Sequence, residues 1–396
     1  MLDILVFCCV VLPFIIGIVL YYVRSGAIRK LLVPAAVAVM ALAAVGLGAH
    51  GAFHLEAHEL FGLPLDNVLT LLDFILLLYI LALGWKLGSR LVMGMTALQL
   101  VGLIYLKDVL MDHGAPVTAF APDGLSLIMV IIISVVGGLI TIYGLGYMDI
   151  HEEHLHLRTS RQPRFFAIIF CFLGAMNGLV LCNNLSWMFF FWEMTTLCSF
   201  WLIGHDRTKE AEANAYRALW MNVLGGLAFV SAMLFIQKSL GTLSTELVLQ
   251  KMVALDVKST AMLLPFAFLC LAAFTKSAQV PFESWLCGAM VAPTPVSALL
   301  HSATMVKAGT YGSGLRRHHH VHHRGPVRGV HLCGYLHAGG QPEQRQENPG
   351  LFHHIQSGPD HRLRGHQHPG LHGRGHHDHH LPFGVQGPVV HVRGRH

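Results

Sequence analysis

The stretch FLCLAAFTKSAQVPFESW (268–285) decides how this chain folds. Its first half is apolar enough for lipid, yet Lys276 stands inside it and Pro281 follows five residues later. Proline lacks a backbone N–H and clashes with the carbonyl four residues back, so a helix here breaks at Pro281. Carbonyls freed by a break can stabilise a buried ammonium group, which an unbroken span in lipid cannot do. The stretch therefore predicts a broken helix carrying a charge inside a membrane.

Working outward, similar apolar runs occupy residues 2–23, 31–50, 66–85, 91–106, 125–147, 165–183, 185–204, 215–236 and 260–280, with a partial run from 296. Most approach the roughly 20 residues that cross a bilayer. Of the 396 residues, 54% are hydrophobic and only 12% charged, against roughly a quarter charged in soluble domains. That excludes a soluble enzyme, a disordered chain and a disulfide-stapled secreted module. Only helices satisfy their own backbone in lipid at this hydrophobicity, so the fold class is an all-α polytopic bundle of about nine or ten transmembrane helices. The first run lacks a basic leader and a small-residue cleavage site, so it reads as a retained helix. The cysteines show no C-x-x-C pair and no zinc spacing. G-x-G-x-x-G, P-loop and iron–sulfur patterns are absent as well. No cofactor, metal or nucleic-acid partner is expected, and the chemistry falls to ionisable groups inside the membrane.

With the N-terminus outside, Arg24, Arg29, Lys30, Lys86, Arg90, Arg158, Arg161, Arg164, Arg207 and Lys209 fall on the inner side, against Lys107, Lys238, Lys251 and Lys258 on the other. Basic residues accumulate in cytoplasmic loops, which favours that orientation in a cell inner membrane.

Charges at bilayer depth cost at least about 2.5 kcal/mol each and tend to mark ion or proton paths. Glu193 sits in the middle of FFFWEMTTLCSFWLIG (189–204), where a carboxyl can take up and release a proton; the plainer reading is an acid paired with a neighbouring helix. Lys276 is the matching base, unless it snorkels to the interface. Arg217 lies near the start of its run, so snorkelling and a role near the site are equally open. His301 and Lys307 lie in VSALLHSATMVKAGTY (296–311), after Pro293 and Pro295. Histidine titrates near neutrality, which suits a relay, although a helix histidine is often merely hydrogen-bonded. Asp73, in LLDFILLLYI (71–80), is a weaker buried-acid candidate. Glu283 reads as interfacial, and His151, His154 and His156 in HEEHLHLR (151–158) read as a solvated charged loop.

Residues 275–311, TKSAQVPFESWLCGAMVAPTPVSALLHSATMVKAGTY, resemble the core of the antiporter-like membrane subunits of NADH:quinone oxidoreductase (complex I), of multi-subunit sodium/proton antiporters and of energy-converting membrane hydrogenases. PDGLSLIM (122–129), ITIYGLGYM (140–148) and FFFWEMTTLCSFWLIGHD (189–206) extend the resemblance upstream. It implies that Glu193 and Lys276 form the centre of a half-channel continued by His301 or Lys307. Arg217, in NAYRALWMN (214–222), stands where the family commonly has lysine; arginine will not deprotonate and could act only electrostatically. Cys287-Gly288 departs from the family, which usually has proline there. The implied organisation is N-terminal helices over 1–119, the first half of the transporting core over 120–311, and a foreign tail over 312–396.

That tail is compositionally a different sequence. Residues 1–311 hold 17 Lys+Arg against 18 Asp+Glu, whereas the last 85 hold 10 Arg, 4 acids and 19 of the 28 histidines. GSGLRRHHHVHHRGPVRG (312–329) follows Tyr311 where the family continues with apolar helices. Suitable codons for QPEQRQENPGLFHHIQSGPDHRLRGHQHP, read one nucleotide later, spell SQSNAKKILAYSTISNLGLIIACAGINT, the kind of sequence the family carries there. The hypothesis is a frameshift near codon 311, leaving a tail with no evolved fold or metal site.

The resemblance implies a membrane subunit of a complex I-like quinone reductase or hydrogenase, coupling electron transfer in other subunits to proton movement and holding no redox site itself. The alternatives are a component of a multi-subunit sodium/proton antiporter, moving protons or sodium ions, and an inactive truncated product. Resequencing across codon 311 should reveal one inserted or deleted nucleotide; an intact frame would overturn the frameshift.

Overall fold

The computed structural model describes residues 2–303, apart from 57–58, 61–62, 111–117, 158 and 255–262. Lys307, the seam at Tyr311 and the tail lie outside the described residues. The helices are α1 (Leu2–Tyr22), α2 (Gly26–His50), α3 (Leu65–Lys86), α4 (Arg90–Tyr105), α5 (Gly124–Ile131), α6 (Gly137–His154), α7 (Gln162–Leu181), α8 (Leu185–Ile203), α9 (Lys209–Leu240), α10 (Thr245–Ala254), α11 (Leu263–Lys276), α12 (Ser284–Gly288) and α13 (Thr294–Ala298). A π-helical turn, Ile132–Val136, joins α5 to α6 as one span. The strands β1 (Leu55–Glu56), β2 (Glu59–Leu60), β3 (Leu63–Pro64) and β4 (Thr118–Phe120) form two short antiparallel pairs, β1 with β4 and β2 with β3.

Helix starts follow local chemistry. Ser25, Ser89, Asn184 and Thr208 each accept a hydrogen bond from a first-turn N–H, and Asp123 with Ser126 makes a reciprocal capping box. Gly241, at φ 66°, closes α9 in the left-handed conformation that glycine adopts without strain.

Among the described residues, seven helices are long and apolar enough to cross a membrane. Two expected spans stand outside that set: α8, of 19 residues, and α11, of 14. The departure at α8 has a physical cause, whereas α11 is described only from Leu263, where the described residues resume. Helix α8 carries Glu193, Thr195, Thr196 and Ser199 and is enclosed by protein along nearly its whole length, so it needs no lipid-compatible surface. Helix α11 stops at Lys276, five residues before the proline expected to break it.

The bundle is organised around α8 and α9. Helix α8 packs on α3, α7 and α9, while α9 also packs on α4, α11 and α12. Phe189 and Trp192 of α8 pack on Phe229 of α9, and Trp187 and Trp285 are buried as well. Without a hydrophobic drive between helices in lipid, such contacts depend on close approach at small residues. At Gly225 an added Cβ would fall 2.0 Å from Thr275 Oγ1, and at Gly226 1.8 Å from Glu193 Oε1. This glycine pair lets α11 and the Glu193 carboxyl lie directly against the α9 backbone.

At the end of the bundle where α6 meets α7, polar groups close the turns. Lys30 pairs with Asp149 at 2.8 Å, the Arg161 N–H donates to Glu152 Oε1 at 2.6 Å, and His151 Nε2 lies 3.0 Å from Asp206 Oδ1. The expectation of a solvated loop is thus corrected for His151: it belongs to the last turn of α6 and is stacked on Tyr147. His154 and His156 are exposed. His205, beyond the end of α8, is buried edge-on against Phe165, and burial draws its pKa down to about 4 against the opposing pull of Asp206.

Two outcomes follow from this packing. An open helix glycine such as Gly94 gains about 0.5–1 kcal/mol on conversion to alanine, whereas overpacking a filled contact costs about 1–3 kcal/mol. Thermal unfolding in detergent should therefore show Gly94→Ala neutral or stabilising and Gly225→Ala and Gly226→Ala destabilising; equal effects at all three sites would refute the close packing. For His205, the unfolded chain takes up its proton near pH 6.5 while the folded chain resists until about pH 4. Its contribution to stability is complete above about pH 6.5 and is lost as pH falls towards 4. His205→Phe should flatten the fall in melting temperature across that window, and an unchanged acid profile would contradict the burial.

Candidate functional site

Lys276 ends α11, where the last helix carbonyls lack intrahelical donors and the helix dipole favours a cation. The chain then turns sharply: Ala278 takes φ 51°, and a cis peptide joins Val280 to Pro281. Within this turn the Gln279 N–H reaches back to Phe274 O at 2.9 Å, and Trp285 Nε1 caps the Thr275 carbonyl at 2.8 Å. The break leads directly into α12, with Glu283 exposed at its start.

The Lys276 ammonium points across to α8. Nζ donates to the Trp192 carbonyl at 2.9 Å and to Thr196 Oγ1 at 2.8 Å, and lies 5.1 Å from the centre of the Trp192 ring. Lys276 is fully buried, so both hydrogen bonds and the ring face are needed to offset lost hydration. Thr196 is oriented for this by donating its own hydroxyl proton to Trp192 O at 3.2 Å.

Glu193 is the residue next to that carbonyl and is also fully buried. Neither of its oxygens has a hydrogen-bond partner. It makes no ion pair within 4.0 Å of Lys276, yet each is the charged group that bears most on the other. Its Oε1 and Gln99 Nε2, which donates to Val223 O at 2.8 Å, both approach the point where a Gly226 side chain would begin. A buried amine and a buried acid so placed can exchange one proton for a change in the balance of charge between them.

The other expected residues are distributed unevenly. His301 lies in a π-helical turn, Leu299–Ala303, with one ring nitrogen bonded to the Leu286 backbone and Nε2 unpartnered. Arg217 is exposed on α9, two turns before the glycine pair, and is not among the charges acting on Lys276. Asp73 is buried in α3, with Oδ1 lacking a partner. Among the described residues, no three His, Cys, Asp or Glu side chains are grouped to hold a metal ion.

Sequence reasoning missed the Trp192 carbonyl, Thr196, Gln99 and the glycine pair. A main-chain acceptor leaves no trace in residue identity. The adjacent glycines Gly225 and Gly226 inside a 32-residue helix were the one available signal of close approach.

Two family models match the chain. One described as NADH:quinone oxidoreductase/Mrp antiporter, TM, covers residues 182–327 and runs past Tyr311; the other, NADH-Ubiquinone oxidoreductase (complex I), chain 5 N-terminus, covers residues 115–166. The chain is 39% identical over 191 residues to the Na(+)/H(+) antiporter subunit A1 of Staphylococcus haemolyticus, which is 48% of this chain and 22% of that protein. A putative antiporter subunit, mnhA2, of the same organism is 41% identical over 196 residues, 48% of this chain and 23% of the relative. The chain thus matches less than a quarter of the length of these curated relatives. Among solved structures, the Mrp complex from Dietzia sp. DQ12-45-1b matches with a TM-score of 0.44 at 30% identity, covering 62% of this chain and 27% of that one. An archaeal membrane-bound sulfane sulfur reductase matches with a TM-score of 0.44 at 17% identity, covering 63% and 52%. Glu193, Thr196 and Lys276 all fall inside the longer matched segment, and the chain belongs to the antiporter-like membrane-subunit family shared by NADH:quinone oxidoreductase and the Mrp antiporters.

Proposed function

We propose that this chain forms part of a multi-subunit sodium/proton antiporter of the Mrp kind, with residues 120–311 as its transporting core. The observation that carries the reading is Lys276: a fully buried ammonium on a broken helix, held by α8 beside an unpaired Glu193. The relatives named as antiporter subunits favour this reading over the redox-coupled one that stood first on sequence grounds. In the mechanism, Lys276 accepts and releases the transported proton. When protonated it donates to Trp192 O and Thr196; on deprotonation the helix-end site holds a neutral amine. The charge state of Glu193 biases that equilibrium, because an opposite charge nearby favours the ammonium form. His301 and Lys307 would carry the proton onward. Arg217, exposed and permanently charged, takes no part in the transfer. Other membrane subunits complete the complex, and the α1 N-terminus faces outward, which puts the richer set of basic loops inside.

The test is sodium-driven proton movement in everted vesicles, using the gene with its frame restored past codon 311 and expressed with its neighbouring subunits. Lys276→Ala should abolish exchange while leaving insertion intact. Lys276→Arg should fail as well, because it keeps the charge but cannot release the proton. Glu193→Gln should lower exchange more than Glu193→Asp, and Thr196→Val should lower it about tenfold through loss of a hydrogen bond to a charged group. Wild-type exchange in Lys276→Ala would overturn the role of the lysine. Proton movement that requires an electron donor and ignores sodium would restore the redox-coupled reading.

A further inference from the structure

We infer that Asp73 on α3 is a second proton-binding carboxyl, coupled to Glu193 and linked through the Asp66–Lys107 ion pair to the end of the bundle where α3 and α8 begin. As a station for a transported proton it rests on the function proposed above; the coupling between the two carboxyls does not.

The argument starts from helix register. Helices α3 and α8 both begin at the end of the bundle that carries the β1–β4 strand pair, and they pack on each other in parallel. Near their starts, Trp187 Nε1 of α8 donates to Asp66 Oδ1 of α3 at 2.8 Å. From that shared level, seven residues along α3 lead to Asp73 and six along α8 lead to Glu193. At 1.5 Å per residue these are climbs of about 10 Å and about 9 Å, so the two carboxyls reach the same depth. Helix α4 runs the other way and adds a third line. Lys107, just past its end, pairs with Asp66 Oδ2 at 3.1 Å, and Gln99, about 12 Å back along the helix, meets Glu193 at Gly226.

Burial and hydrogen bonding point to a ligand. Asp73, Thr96, Gln99 and Glu193 are all at most 1% exposed. Asp73 Oδ1, Thr96 Oγ1, Gln99 Oε1 and both Glu193 oxygens lack partners. The carboxyl and amide oxygens are acceptors and the Thr96 hydroxyl can donate or accept, and leaving such buried groups unpaired is costly. A proton on either carboxyl converts one oxygen from acceptor to donor and removes a buried charge. The charged groups that face Asp73 are Lys107 from the segment after α4, Glu193 from α8 and Asp66 on its own helix. The charge acting on Glu193 is Lys276 from α11. Two acids at one depth with one cation on each side do not both ionise at the same pH as isolated groups would. In the transfer step one proton leaves the Asp73 carboxyl and is taken up by the Glu193 carboxylate, leaving Asp73 ionised towards Lys107 and Glu193 neutral beside Lys276.

Infrared difference spectra of the purified full chain in lipid nanodiscs, recorded across a pH titration, test this directly. Two protonated-carboxyl bands are expected, one of them moved by carboxyl-labelled ¹³C-aspartate. Asp73→Asn should remove the aspartate band and displace the titration midpoint of the remaining one by about one pH unit or more. Glu193→Gln should do the converse, and Lys107→Met should displace the aspartate band alone. Should Asp73→Asn fold poorly, the isotope-labelled wild type and Asp73→Glu still report whether this carboxyl titrates. Absence of a titrating aspartate band, or independent midpoints in the single variants, overturns the inference whether or not the chain transports. Coupled midpoints alongside wild-type exchange in Lys276→Ala would leave it standing while the function above falls.

Discussion

The centre of this bundle has to accommodate one fully buried ammonium group, that of Lys276. Lys276 Nζ is satisfied by a main-chain carbonyl, a threonine hydroxyl and an indole face, all supplied by one turn of α8. Removing a lysine from water costs several kcal/mol, and an ordinary helix offers it no free carbonyl. The site therefore needs a helix that ends in mid-bundle, a neighbour that brings a carbonyl and a hydroxyl to the same spot, and helix axes close enough for the reach. The turn from Ser277 to Glu283 supplies the first, Trp192 and Thr196 the second, and the Gly225–Gly226 pair the third.

The same constraint explains why α8 looks unlike its neighbours. A helix facing lipid must be apolar outward, whereas α8 is buried along most of its length, leaves only Met194, Leu197 and Trp201 partly exposed, and can be polar on its enclosed faces. Its aromatic residues fill the space that a row of polar side chains would leave loose. Trp192 does both, packing on Phe229 at 5.3 Å while its carbonyl and ring serve the lysine. Polar groups without partners are concentrated here, on Glu193, Gln99, Thr96 and Asp73. In the proposed mechanism these are the groups whose hydrogen-bonding needs change when a proton arrives or leaves. Polar pairs among the described residues lie towards the two ends of the bundle, Asp66 with Lys107 and Trp187 at one and Asp149, Glu152 and Asp206 with their partners at the other.

Much of this was legible in the chain alone, for a reason that holds for any membrane protein. Lipid tolerates few backbone solutions, so hydrophobic runs specify helices directly, and a charge inside such a run declares itself by its cost. Glu193 and Lys276 stood out in that way as charges inside apolar runs, a helix break was expected at Pro281, and residues 275–311 with their upstream motifs pointed to the family. What only the tertiary structure decided was pairing across helices. Residue identity cannot show that Lys276 meets the Trp192 carbonyl in place of the Glu193 carboxylate, since every residue carries the same carbonyl. Nor can it show that Arg217 faces outward, that His151 is clamped by Asp206, or that Trp187 of α8 reaches Asp66 of α3. Those facts depend on the register of one helix against another, and that register is set by where glycines allow two backbones to touch.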